Sequence, residues 1–169
     1  AIDRVDDQVR PLDVAVIATT EVVARSPAAR ILRKPADSPV DGAGIDGIVA
    51  AFADSARRAV RLGLDLIEIH AAHGYLLHEF LSPASNRRDD EYGGSFENRA
   101  RLLLRIATEV RGAWPEAKPL FVRVSATDWA DGGWGVDETA TVAAWAGERG
   151  ASVIDISTGG LVAHQRITT

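Results

Sequence analysis

The chain has 169 residues and a mass of 18.0 kDa, with 46% hydrophobic and 25% charged side chains, a composition that suits one globular unit with a real core and excludes a disordered or membrane segment. A net charge of −5 and a pI near 5.3, with no long basic run, argue against nucleic acid or an anionic membrane as partner and point to a small molecule. Without cysteine there is no disulfide, thiolate ligand or cysteine nucleophile.

No apolar run reaches the roughly 18 residues of a membrane span, and no charged, apolar, small-residue leader opens the chain, so neither a transmembrane helix nor a signal peptide is predicted. The expected location is the cytoplasm. Methionine is absent altogether, which means either that an initiator was removed before Ala1 or that these residues are a piece of something longer.

Residues 1–42 carry the least pattern. Leu12 to Ala18 suits a strand and Glu21 to Lys34 a helix, but Pro27, Pro35 and Pro39 interrupt the region and no role is assigned to it. From Gly44 the pattern becomes clear: Ile45, Ile48, Val49, Phe52, Ala56, Ala59 and Val60 fall at helical spacing, with Asp46, Asp54, Arg57, Arg58 and Arg61 opposite. Gly63 closes this amphipathic helix.

A strand, L-D-L-I-E-I-H from Leu64 to His70, follows at once. Alternation puts Leu66, Glu68 and His70 on one face and Ile67 and Ile69 on the other. The segment from Ala71 to Gly94 reads as a long loop rich in Asn, Arg, Asp, Ser and Gly, with a short apolar patch from Leu76 to Leu81. Ser95 reads as the N-cap of a second helix whose buried stripe is Leu103, Ile106, Ala107 and Val110 and which ends before Pro115.

A second strand, Leu120 to Ala126, puts Phe121, Arg123 and Ser125 on one face and Leu120, Val122 and Val124 on the other. The loop Thr127 to Gly135 leads to a third helix, about Asp137 to Arg149, and to a third strand, Ser152 to Ser157, with Val153, Asp155 and Ser157 on one face. R-L-G-L-D-L-I-E-I-H at 61–70 echoes E-R-G-A-S-V-I-D-I-S at 148–157, a helix end, a glycine and an acidic strand each time. Strands alternating with helices at this spacing predict a parallel α/β sheet. If Glu68, Arg123 and Asp155 share a lumen layer, His70, Ser125 and Ser157 occupy the next layer toward the C-terminal mouth.

His70 and His73 lie three residues apart at a strand end and in the loop beyond, so both imidazoles could donate to one oxygen, polarising a carbonyl or holding a phenolate. Tyr75 offers a phenol that could deliver a proton. The plain alternative is a pair of loop histidines beside a packed tyrosine. A zinc site of His70, His73 and His78 with a carboxylate is a weaker reading, since no helical H-E-x-x-H is present, and no metal is expected. Arg123, on an inner strand face, needs Glu68, Asp155 or an anionic cofactor edge as partner. Trp129 and Trp134, in a glycine-rich loop, read as rim packing rather than substrate stacking.

The run I-E-I-H-A-A-H-G-Y-L-L-H-E-F-L-S-P-A-S-N-R-R-D-D-E-Y-G-G-S-F-E-N-R at 67–99, followed by L-F-V-R-V-S-A at 120–126, resembles the old yellow enzyme family of FMN-dependent ene-reductases, nearest its bacterial branch with paired histidines. The resemblance covers about residues 45–163. It implies a TIM (β/α)8 barrel in which NAD(P)H reduces FMN, and FMN passes hydride to an activated C=C bond. Position by position it implies that His70 and His73 bind the substrate carbonyl or a phenolic inhibitor over the flavin and that Tyr75 donates a proton. Arg123 would face the pyrimidine edge of FMN, with His70 as a further cofactor contact. Asn86, Arg88, Asp89, Tyr92, Gly93, Gly94, Ser95, Asn98 and Arg99 match a signature that folds the long loop and caps the next helix.

Only three of the family's eight strands are matched, no flavin-contact motif is found in residues 1–42, and a closed barrel takes roughly 200 residues or more. Residues 43–169 are therefore expected to form a partial barrel, first as a fragment of an intact ene-reductase. Alternatively it is a half-barrel completed by another chain, as a homo-oligomer or with further barrel segments, or a rearranged remnant that does not hold FMN and acts as a binding or assembly module.

Overall fold

Among the described residues, four strands lie side by side in chain order in one parallel sheet. The computed structural model describes residues 14–17 and 40–166. Its elements are β1 (Val14–Ile17), α1 (Gly42–Arg61), β2 (Leu66–Ala71), α2 (Leu76–Leu81), α3 (Phe96–Ala113), β3 (Leu120–Ser125), α4 (Val136–Glu148) and β4 (Val153–Ser157). The expected helices and strands at 44–157 form within a few residues of their predicted bounds. Two features go beyond these. β1 forms inside the strand expected at Leu12 to Ala18 and gives that stretch a place as the fourth strand, pairing Val14 with Leu66 and Ile17 with Ile69. The apolar patch inside the predicted long loop is the helix α2. The broken helix expected at Glu21 to Lys34 lies outside the described residues.

α1 starts where Asp41 Oδ1 accepts the Gly44 amide at 2.8 Å, a cap worth about 1 kcal/mol. Its stripe of Ile45, Ile48, Phe52 and Ala56 is fully buried, and the chain leaves it through Gly63 at φ +75°. α3 starts in the same way, with Ser95 Oγ accepting the Asn98 amide, and packs along α1. Both helices cover the sheet face made by Ile67, Ile69, Leu120, Val122 and Val124, each fully buried. Burying whole side chains of this kind contributes about 1.5–3 kcal/mol apiece. On β4 the same face is only partly covered: Ile154 packs against the core, while Ile156 is 55% exposed, with no helix following the strand among the described residues.

The loop from Ser82 to Ser95 is tied down by its own side chains. Asn86 Nδ2 donates to the carbonyls of Phe80 and Tyr92 at 2.6 and 2.8 Å, and Asn98 Nδ2 donates to Gly93 O at 3.1 Å. Arg99 Nη1 reaches Leu81 O, and its Nη2 pairs with Glu138 of α4 at 2.6 Å. Gly93 is compulsory for a steric reason, since a Cβ there would sit 2.2 Å from Arg88 O. This network is what the N-x-R-D-x-x-Y-G-G-S-x-x-N-R signature builds, and it ties the loop to the start of α3.

Candidate active site at the C-terminal edge of the sheet

The face of the sheet opposite the helices carries Leu66, Glu68 and His70 on β2, Phe121, Arg123 and Ser125 on β3, and Val153, Asp155 and Ser157 on β4, as alternation predicts. The rows, however, differ from the expected layers. His70 is in register with Arg123 and Asp155, Ser125 with Ser157, and Glu68 with Phe121 and Val153. β2 is therefore shifted two residues relative to the expected alignment with β3 and β4. The cause is the stagger between neighbouring strands that a barrel-type sheet requires, which an internal sequence echo does not encode.

The functional groups expected at this edge are brought together. The His70 ring centroid lies 5.2 Å from that of His73 and 5.2 Å from that of Tyr75. His70 is buried, and its Nδ1 has no hydrogen-bond partner within the described residues. His73 stands in the left-handed region at φ +57°, uncommon for a residue with a Cβ. Its amide donates to Ser125 Oγ at 3.1 Å, and its Nε2 hydrogen-bonds Ser157 Oγ. Convergence of both imidazoles on one ligand oxygen thus requires His73 to present its other nitrogen or to exchange Ser157. Tyr75 begins α2 and is 42% exposed.

Arg123 Nε lies 3.3 Å from Asp155 Oδ2, outside hydrogen-bond geometry, and is buried without a partner, while its Nη2 reaches Ser157 Oγ at 3.5 Å. With over a third of each side chain exposed, this ion pair is a weak restraint. Burial, followed by the Asp155 carboxylate, raises the Glu68 carboxyl above its ordinary value, against the pull of Arg123.

Burial, the neighbouring His73 and Arg123 together depress His70 to about 4. Burial and then Arg123 depress His73 as well. A depressed histidine takes up its proton more readily in the unfolded chain, so the stability it contributes is complete above about 6.5 and is lost as the pH falls toward 4. In an NMR titration His70 is expected to stay neutral at pH 5.5. A His70 ring that is largely protonated at that pH would refute the buried, charge-crowded placement.

The loop carrying His73 is pressed against the loop after β4. A Cβ on Gly74 would lie 2.5 Å from Gly160 O, and one on Gly160 would lie 2.8 Å from the Cα of His73. Only glycines admit so close an approach. Trp134 is 1% exposed, its indole donating to Ser125 O at 3.0 Å, so it belongs to the core rather than the rim. Trp129, half-buried at the rim, hydrogen-bonds Thr158 through its indole nitrogen. A groove of about 480 Å³ lined by Leu104, Arg105, Trp145 and Arg149 opens on the outer helical layer and contains none of the expected site residues.

His78 does not join the other two histidines. Its ring is fully buried, with Nδ1 3.0 Å from the Gly74 amide and Nε2 2.8 Å from Asp128 Oδ1. Asp128, also fully buried, accepts from Ser82 Oγ at 2.5 Å and the Trp134 amide at 2.8 Å. Burial acts to raise its carboxyl, but His78 and the hydrogen bonds from Ser82 and the Trp134 amide win and hold it below the usual value. The sequence reading did not find Asp128. The one available signal was a carboxylate directly before a tryptophan in a loop beside a strand end.

The sequence profile of the NADH:flavin oxidoreductase / NADH oxidase family matches residues 10–168. The chain belongs to this family. An NADPH dehydrogenase of Bacillus subtilis strain 168 is 54% identical over 114 residues, covering 68% of this chain and 33% of that protein. The old yellow enzyme homologue of Zymomonas mobilis superposes with a TM-score of 0.63 at 29% identity, over 73% of this chain and 36% of that one. Morphinone reductase in complex with tetrahydroNAD superposes with a TM-score of 0.62 at 31% identity, over 73% and 35%. This family's old yellow enzyme members are TIM barrels, and the four strands described here are a part of that barrel. The chain spans between 29% and 41% of the length of the first curated relatives it matches. The family match takes in β1, and so covers more of the chain than the signature at 67–126 marks out.

Proposed function

We propose that the chain carries the substrate-binding part of an FMN-dependent oxidoreductase of the old yellow enzyme type, which reduces activated C=C bonds with NAD(P)H. The observation that carries this reading is a pair of buried nitrogens without hydrogen bonds, His70 Nδ1 and Arg123 Nε, on in-register neighbours of one sheet face. A buried polar atom without a hydrogen bond costs about 1–3 kcal/mol, so two of them side by side fit a polar ligand that donates to His70 Nδ1, leaving its one N–H for the substrate, and accepts from Arg123 Nε. The pyrimidine edge of a flavin, with its carbonyl oxygens and ring nitrogens, is such a ligand.

Arg123 and His70 would hold FMN by that edge. When bound and reduced by NAD(P)H, the cofactor supplies a hydride for the β-carbon of the alkene. The chain's own part is to bind and orient: His70 and His73 donate to the activating carbonyl oxygen, and Tyr75 holds a proton at its phenol near the α-carbon. Neutral imidazoles suit this work, because each keeps one N–H to donate without placing a buried positive charge beside Arg123. The expected setting is cytoplasmic, with a small-molecule substrate and with either a second copy or further barrel segments completing the sheet. Among the described residues no helix is long and apolar enough to cross a membrane.

The test is an absorbance spectrum of the protein after incubation with FMN and removal of free ligand, repeated with Arg123→Ala. A retained flavin band that weakens several-fold in the variant supports the reading. Equal retention in both proteins removes Arg123 from the cofactor site, and no retention in either leaves the chain as a binding or assembly module.

A further inference from the structure

We propose that the buried His78–Asp128 pair positions the His73 loop, with Asp128 fixing which nitrogen of His78 bears hydrogen so that the other stays bare to accept the Gly74 amide. Asp128 Oδ1 has only acceptor capacity toward His78, since an ionised carboxylate donates nothing. The 2.8 Å contact lies outside hydrogen-bond geometry, but a carboxylate oxygen that close favours hydrogen over a lone pair on the facing Nε2. Nδ1 is left as an acceptor 3.0 Å from the Gly74 N–H. The reverse assignment would set a donor against a donor at Gly74 and an acceptor against an acceptor at Asp128.

Gly74 directly follows His73, and both residues are in the left-handed region, at φ +75° and +57°. For His73 that conformation costs about 1–2 kcal/mol, so it persists only where its surroundings impose it. Three contacts impose it here: the His73 amide on Ser125, the His73 ring on Ser157, and the next amide along the chain on His78. The first two come from the strand ends themselves. The third comes from α2 and is anchored through Asp128 to Ser82, at the C-terminal end of the same helix, and to the Trp134 amide in the loop before α4. His78 touches no group offered to substrate and acts only through the loop. This role rests on the reading of His73 as a substrate-contacting group, but its test needs no flavin.

The chain contains four histidines, so ring nitrogens of 15N-histidine-labelled protein can be resolved one by one. In the unsubstituted protein at pH 7, His78 is expected to show a protonated Nε2 and a bare Nδ1. The opposite tautomer, or a ring protonated on both nitrogens, overturns the proposal by itself, even if no variant folds. Two variants then separate positioning from packing. His78→Asn keeps an acceptor where Nδ1 was and loses the donor to Asp128, whereas His78→Gln keeps the donor position and loses the acceptor.

The charged and titratable groups facing His73 are His70 of β2, His78 of α2, Arg123 of β3 and Asp155 of β4. None but His78 changes in these variants. Either variant removes the His78 ring, one of the influences that lower His73, so both should raise its titration somewhat, but His78→Gln should raise it clearly further toward an ordinary histidine as the loop loosens and the ring gains water. If Asn raises the His73 titration as far as Gln or further, or if neither moves it, the pair merely staples α2 to the neighbouring loop and the proposal fails. Flavin retention bears on the proposed enzyme function and leaves these outcomes untouched, so the two readings fail separately.

Discussion

Replacing Asp128 by alanine is expected to remove about 3–5 kcal/mol of folding stability, a large part of the 5–15 kcal/mol typical of a whole domain. The side chain is fully buried, accepts from Ser82 Oγ and the Trp134 amide, and faces His78 Nε2 at 2.8 Å. Alanine would strand all three in a place that water cannot reach. Asp128→Asn should cost less, since the amide oxygen still accepts from one or two of them. Because the carboxyl is held low, its contribution is present above the ordinary carboxylate range near 3.9 and disappears as the pH falls below it. Urea unfolding of the protein and of Asp128→Ala at neutral pH measures the difference. A loss below about 0.5 kcal/mol, the scale of an ordinary surface substitution, would mean that the network is not a structural requirement.

Loss of both histidines, His70→Ala with His73→Ala, should lower the turnover of an enone by about 10²–10³-fold or more, the effect of removing oxyanion-type donors. The two rings lie 5.2 Å apart and His73 depresses the protonation of His70, so the double variant should lose less than the product of the single losses. Binding of a simple phenol, read from the perturbation of the flavin spectrum, should weaken in parallel, since a phenolate oxygen needs the same donors. A double variant that keeps the phenol affinity of the parent protein would show that the ligand sits elsewhere, whatever its effect on turnover.

Periodicity made most of the helices and three of the strands legible, because a stripe such as Ile45, Ile48, Phe52 and Ala56 is a local pattern. The strand at Leu12 to Ala18 was legible, but its place in the sheet was not, since four apolar residues in a proline-interrupted region do not say which strand they pair with. The expected site residues were legible where they cluster in sequence, as His70, His73 and Tyr75 do. Their arrangement was less so: the row that His70 shares with Arg123 and Asp155 follows from strand stagger, a property of the assembled sheet. The partnership of His78 with Asp128 joins residues far apart in the chain, and no spacing rule announces it. His78 was legible only as a third imidazole near two others, which the fold then turned inward.

The near-contact of Gly74 with Gly160 has a practical consequence for anyone wishing to alter what this protein accepts. The segments following β2 and β4 meet backbone to backbone, with no side chain between them to absorb an error. A graft that changes the length or path of one will collide with the other, so the two are a single exchangeable module, and libraries aimed at new substrates should draw both from the same parent.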